Sequence, residues 1–87
     1  MEFDLSTIKE DFSIVTGSNC GKCKTLINYL KTTSLTFHII SEELNKEEFE
    51  YVAKKFDICM IPVIIKKDLT KVVDLSNCIS YCRTLNS

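Results

Sequence analysis

Phe12-Ser13-Ile14-Val15-Thr16-Gly17-Ser18-Asn19-Cys20-Gly21-Lys22-Cys23 is the stretch on which the reading of this chain turns. Phe12 to Thr16 is a short apolar, β-branched run closed by Gly17 and Ser18, which fits a buried strand. Cys23, Leu26, Ile27 and Leu30 then fall at i, i+3, i+4 and i+7, so the following segment is a helix with one buried stripe, fraying near Thr32-Thr33. The two cysteines therefore stand between the end of a strand and the start of a helix.

That placement suits dithiol chemistry on two grounds. Cys20, at the helix start, faces unpaired backbone N–H groups and the positive end of the helix dipole, both of which favour thiolate over thiol, and Lys22 and Lys24 add to that field. Cys23 lies one turn further on, within reach of a mixed disulfide formed at Cys20. Cys20 is then the nucleophile and Cys23 the resolving thiol. The competing reading is half of a zinc or iron-sulfur site, since Cys-x-x-Cys is also a metal-ligand spacing, and it needs a second pair. Cys78 and Cys82 stand at i, i+4, but both fall on an apolar stripe where free cysteine packs as a small hydrophobe. The strand-loop-helix context favours redox over metal.

Downstream, Thr36-Phe37-His38-Ile39-Ile40 reads as a second strand, parallel to the first through a helical crossover. Asn45 followed three residues later by Glu48 marks a helix start, and Phe49, Val52, Ala53 and Phe56 repeat the helical spacing up to Asp57. Val63-Ile64-Ile65 after Pro62 is a strand that enters the turn Lys66-Lys67-Asp68, with Lys71-Val72-Val73-Asp74 as its antiparallel partner. Ser76 is positioned to cap a last helix with Leu75, Cys78, Ile79, Cys82 and Leu85 on its apolar face. The order is β-α-β-α-β-β-α. It predicts an α/β fold with a four-stranded mixed sheet, helices on both faces, and the dithiol at the end of the first strand.

Composition bounds the functional classes. With 87 residues, 45% hydrophobic and 26% charged, the chain has the makeup of one globular domain spanning residues 1–87, with no linker, repeat or low-complexity segment. Eleven Lys and Arg nearly balance twelve Asp and Glu, and a net charge of -1 gives no reason to expect nucleic acid or a membrane surface as partner. Met1-Glu2-Phe3-Asp4-Leu5 lacks the basic head of a leader, and no run approaches the roughly 18 apolar residues of a membrane span. Five cysteines are an odd number for a disulfide framework, so the expectation is a cytoplasmic protein with reduced thiols and one chemically active pair.

The remaining candidates are given ordinary roles. Cys59 is read as core filler rather than a third redox thiol, and His38, the single histidine, as a packed or surface residue. Glu42, Glu43, Glu47, Glu48 and Glu50 are read as the solvated flank of the second helix.

Two segments, Ser18-Asn19-Cys20-Gly21-Lys22-Cys23-Lys24 after the first strand and Met60-Ile61-Pro62-Val63 before the third, make the sequence resemble the thioredoxin/glutaredoxin superfamily. The match in element order spans nearly the whole chain. The resemblance implies a thioredoxin-like fold in which the bond before Pro62 is cis, Pro62 lies beside the dithiol, and the backbone of Ile61 pairs with bound substrate; Gly21 and Lys22 fall on the same substrate-facing loop. Size and the short crossover are similar to glutaredoxin, and Ile14 holds the place of the buried aspartate of thioredoxins. Cys-Gly-Lys-Cys-Lys is closer to thioredoxin's Cys-Gly-Pro-Cys-Lys than to Cys-Pro-Tyr-Cys.

Glutaredoxins hold glutathione partly through a Gly-Gly turn and acidic residues before the last helix, where this chain has Val73-Asp74-Leu75-Ser76-Asn77, and often through a basic residue upstream of the first cysteine, where it has Gly17-Ser18-Asn19. The implied activity is reversible thiol-disulfide exchange on protein disulfides by a monomer without a bound cofactor. A thioredoxin-reductase-like partner is the expected reductant, with glutathione as the alternative, and ribonucleotide reductase is an acceptor by family analogy only. The rival readings are a glutathione-dependent glutaredoxin and a non-catalytic metal-binding module.

Overall fold

The computed structural model describes residues 4–86; Met1-Glu2-Phe3, part of the segment read as lacking a leader, lies outside the described residues. The elements are β1 (Phe12–Thr16), α1 (Gly21–Leu30), β2 (Phe37–Ser41), α2 (Lys46–Lys55), β3 (Val63–Lys66), β4 (Lys71–Val73) and α3 (Leu75–Asn86). They form a four-stranded sheet in the order β2-β1-β3-β4. β1 runs parallel to β2 and antiparallel to β3, and β4 returns antiparallel to β3. The expected element order and mixed sheet are both present.

β1 is buried along all five residues because it lies inside the sheet with packing on both faces. Strand alternation sends Phe12 and Ile14 to one face, where they meet Leu26 and Leu30 of α1, Ile64, and Cys78 and Cys82 of α3. Val15 faces the other way, into a cluster with Ile40, Val52 of α2, Val63, Ile65 and Leu5. Leu5 belongs to no periodic pattern, so nothing in its neighbourhood announced its burial. The hydroxyl of Ser13 is buried on the α2 face without a hydrogen-bond partner among the described residues.

Three local readings need correction. Glu48 is buried rather than solvated: both of its carboxylate oxygens lie 3.0 Å from His38 Nε2, a strut from the first turn of α2 to β2. Asn45 does mark the start of α2, as expected: it holds the cap position, without a side-chain capping bond, and its Nδ2 donates to Glu48 Oε1 at 3.4 Å. The last helix begins at Leu75, one residue before the expected cap Ser76, after Asp74 with φ 70°. The first turn then closes through the Cys78 N–H donating to the Asp74 carbonyl at 3.0 Å. Leu85, expected on the buried face of α3, is 41% exposed, because the helix outruns the sheet that covers Cys78 and Cys82.

Leu26→Ala should lower the unfolding free energy in a urea titration by about 2–5 kcal/mol, the range for emptying a fully buried leucine site. Leu85→Ala should change it by no more than about 0.5 kcal/mol.

Candidate functional site

Thr16 ends β1, and the chain turns through Asn19, whose φ of 56° is left-handed, before α1 starts at Gly21. Asparagine tolerates that region better than most residues, so a short loop suffices to reverse the chain onto the α1 face. The turn sets Cys20 at the N-cap of α1 in extended geometry, φ -104° and ψ 102°. Its sulfur takes the place that a serine or aspartate oxygen usually fills, accepting from the Cys23 N–H at 3.2 Å. The Cys20 carbonyl accepts the first helical bond, from the Lys24 N–H at 3.1 Å.

Cys20 and Cys23 are joined as a disulfide with Cα atoms 5.2 Å apart. Cys20 is partly exposed, whereas Cys23 is only 2% exposed, facing inward from the first turn of α1. Cys20 is therefore the sulfur of the pair nearer the surface, and Cys23 the sheltered one. No acidic residue occupies the first turn of α1, and Lys22 and Lys24 are both exposed there, so the field around Cys20 is positive from backbone and side chains alike. Gly21 is exposed with open space where a Cβ would stand, which leaves the surface beside Cys20 flat.

The antiparallel register Val15↔Val63 brings the segment entering β3 alongside the segment leaving β1. Ile61 and Pro62 thus reach the same end of the sheet as the Cys20 loop, and the Ile61–Pro62 bond is cis, as the resemblance implies. Gly17 is the close-approach point between the two segments: a Cβ there would stand 2.7 Å from Ile61 Cδ1. The reading of Gly17 as a simple strand terminator missed this contact, which depends on a partner 44 positions away in sequence, from 17 to 61.

The other thiols divide into two kinds. Cys78 and Cys82 are fully buried in the α1/α3 cluster, and burial pushes both thiols up to about 11, which keeps them protonated and unreactive at neutral pH. Cys59, expected in the core, is exposed, because it lies in the irregular segment between α2 and β3 rather than on either element. Among the described residues no group of three or more His, Cys, Asp or Glu side chains is placed to hold a metal ion, so Cys78 and Cys82 do not complete a set with Cys20 and Cys23. A hollow of about 530 Å³ between Leu5, Tyr51, Phe56 and Leu69 borders the β3–β4 turn, at the opposite end of the sheet from the dithiol.

Comparison with solved structures places this architecture. The chain superimposes on a crystal structure of a mutant of the thioredoxin-like protein BC3987, with a TM-score of 0.69 over 87% of this chain and 99% of that one, at 13% sequence identity. A crystal structure of the same protein without the mutation gives 0.68 over 85% and 97%, at 15% identity. No family model matches the chain, and no curated protein sequence matches it. The fold is thioredoxin-like, and a close cysteine pair lies at the start of its first helix. No helix among the described residues is long and apolar enough to cross a membrane.

In reduced protein, iodoacetamide at pH 6 should label Cys20 first and the exposed Cys59 more slowly, with Cys78 and Cys82 labelled only after urea unfolds the chain; peptide mapping of the adducts reads the order. A second expectation follows from the two buried thiols. Folded thiols near 11 retain protons that unfolded thiols near 9 release, so their contribution to stability is complete below pH 9 and is lost as pH rises toward 11. Urea titrations should show a fall of up to about 1.4 kcal/mol per pH unit for each thiol in that window, and Cys78→Ala/Cys82→Ala should remove that part of the slope.

Proposed function

We propose that the protein is a thiol-disulfide oxidoreductase that works through Cys20 and Cys23. The observation that carries this reading is the cysteine pair closed across the first turn of α1, with the outer sulfur at the helix N-cap and the inner one buried. The thioredoxin-like fold supports it.

The exchange runs in two balanced steps. Cys20 thiolate attacks one sulfur of a substrate disulfide; the substrate S–S bond breaks, a mixed disulfide forms, and the leaving thiolate takes a proton from solvent. Cys23 then loses its proton to solvent and attacks Cys20 Sγ, which releases the second substrate sulfur as a thiolate that is protonated in turn. The substrate disulfide has gained two electrons from the cysteine pair and two protons from solvent, which received one proton from Cys23 and had received the other when Cys20 ionised before the attack. The field at the start of α1 stabilises Cys20 both as the attacking thiolate and as the group expelled when the reaction runs in reverse.

Gly21 and Lys22 form the open floor beside the reacting sulfur, and the backbone of Ile61 before Pro62 is the edge on which a substrate segment docks. Protein disulfides are the substrates in this reading, in a cytoplasmic setting. A thioredoxin-reductase-like partner returns electrons to the pair in this reading, with ribonucleotide reductase an acceptor by family analogy only. Glutathione is the alternative reductant, and turnover of an insulin-type disulfide with each electron source in parallel separates the two.

Cys20→Ser should abolish exchange. Cys23→Ser should retain attack but accumulate covalent mixed disulfides with substrate, visible as a mass increase that dithiothreitol removes. Reversal of the two phenotypes would contradict the assignment of nucleophile and resolving thiol.

A further inference from the structure

We infer that the α1/α3 layer is the face over which a redox partner protein approaches Cys20, and that this partner presents acidic residues beside its disulfide. The inference rests on the redox reading above and names the partner's chemistry. From Phe12 to Ser41, and again from Leu75 to Asn86, the sequence contains no aspartate or glutamate. Those two stretches hold Lys22, Lys24, Lys31 and Arg83, a charge of +4, while the remaining seven cations and all twelve acids leave the rest of the chain at -5.

The fold turns this segregation along the chain into a separation in space. α1 and α3 pack together on one face of the sheet through Leu26, Leu30, Cys78 and Cys82, and α2 packs on the other. Lys22, Lys24, Lys31 and Arg83 are all exposed, and none of them forms an ion pair among the described residues. Glu42, Glu43, Glu47 and Glu50 are exposed on the α2 side. The acids that border the basic layer are Asp74, before α3, and Asp11 and Asp68, whose charges reach Tyr81. The last two are engaged, Asp11 accepting from Thr36 and Asp68 from Thr70. Because Cys20 caps α1, the patch and the outer sulfur belong to one helix. Lys22 and Lys24 follow Cys20 within four residues, and Lys31 stands about 10 Å beyond Lys24 on the same flank, a spacing close to the Debye length at about 0.1 M salt. The three lysines therefore act as one positive surface that begins at the dithiol. An acidic partner is drawn to the layer that carries Cys20, and a basic one to the opposite layer.

The test is a single-turnover reaction of dithiothreitol-reduced, desalted protein with cysteine-peptide disulfides of one length, flanked by Asp, Asn or Lys beyond a Gly-Ser spacer. Each rate is divided by that of the same peptide with dithiothreitol at the same salt, and bis(2-pyridyl) disulfide serves as the small uncharged reference. We expect the Asp peptide to exceed the Lys peptide by about tenfold or more at about 20 mM salt, and by about twofold or less at about 500 mM. The low-salt ratio should fall to about threefold or less in Lys24→Gln/Lys31→Gln/Arg83→Gln and stay at about tenfold or more in Glu42→Gln/Glu43→Gln/Glu47→Gln. Should the cation variant lose its cooperative urea transition, Lys24→Gln/Lys31→Gln decides by the same ratio. Equal rates for the Asp and Lys peptides, or a preference that survives high salt or the loss of these cations, would overturn the inference; if the pyridyl disulfide is still reduced, the redox reading stands. Retention of the protein on a short DNA duplex or on phosphatidylserine vesicles at low salt, without a preference for the Asp peptide, would give the patch to another polyanion and overturn it as well. Failure to reduce any of the disulfides would defeat the redox reading and this inference together.

Discussion

The sulfur of Cys20 caps α1, and the rest of the site depends on that one contact. A helix start leaves backbone N–H groups without partners, and most helices meet them with a hydroxyl or carboxylate. Here a sulfur does so, accepting from the Cys23 N–H at 3.2 Å. The same donors that need an acceptor also favour negative charge on it. They also fix Cys23 one turn inside, where the buried stripe of α1 holds it against the sheet.

The sheet gives that contact its surroundings. β1 and β2 run parallel and both end toward the Cys20 loop, while β3, antiparallel to β1, begins there and β4 ends there. The chain segments at Gly17, Met60 to Pro62 and Val73-Asp74 are brought to a single end by strand direction alone. Packing on both faces is what keeps this arrangement in place: α1 and α3 close one side over Phe12, Ile14 and Ile64, and α2 the other over Val15, Val63 and Ile65. The His38–Glu48 strut ties the start of α2 to β2. Because Cys78 and Cys82 lie within the α1/α3 packing, burial holds both thiols in the protonated form.

The elements were legible wherever a local pattern carries the physics. The β-branched run from Phe12, the spacing of Cys23, Leu26, Ile27 and Leu30, and the turn after Ile65 are each contained within a few residues, and each was placed within a residue or two of where it lies. Burial of Glu48 was not legible, because its partner His38 reaches it only once α2 folds back on β2. Cys59 was assigned to the core on residue type alone, although a cysteine between two elements has no periodicity to set its direction. Asp74 concealed the true start of α3, since its left-handed backbone carries none of the glycine signal that usually marks one. At the site, the cysteine pair and the Ile61-Pro62 segment could be read directly, whereas the close approach of Gly17 to Ile61 exists only through the pairing of β1 with β3.

The account's central claim is that Cys20 and Cys23 form a reversible couple and that the remaining thiols stand apart from it. Equilibrating the protein in dithiothreitol buffers of graded redox ratio, trapping with acid and an alkylating reagent, and mapping each cysteine by mass measures this directly. The account predicts one two-electron transition, the same from the reduced and the oxidised side, in which Cys20 and Cys23 change together while Cys59, Cys78 and Cys82 remain thiols throughout. A transition that draws in Cys59 in place of Cys23, or a Cys20–Cys23 disulfide that forms but does not re-open, would contradict it.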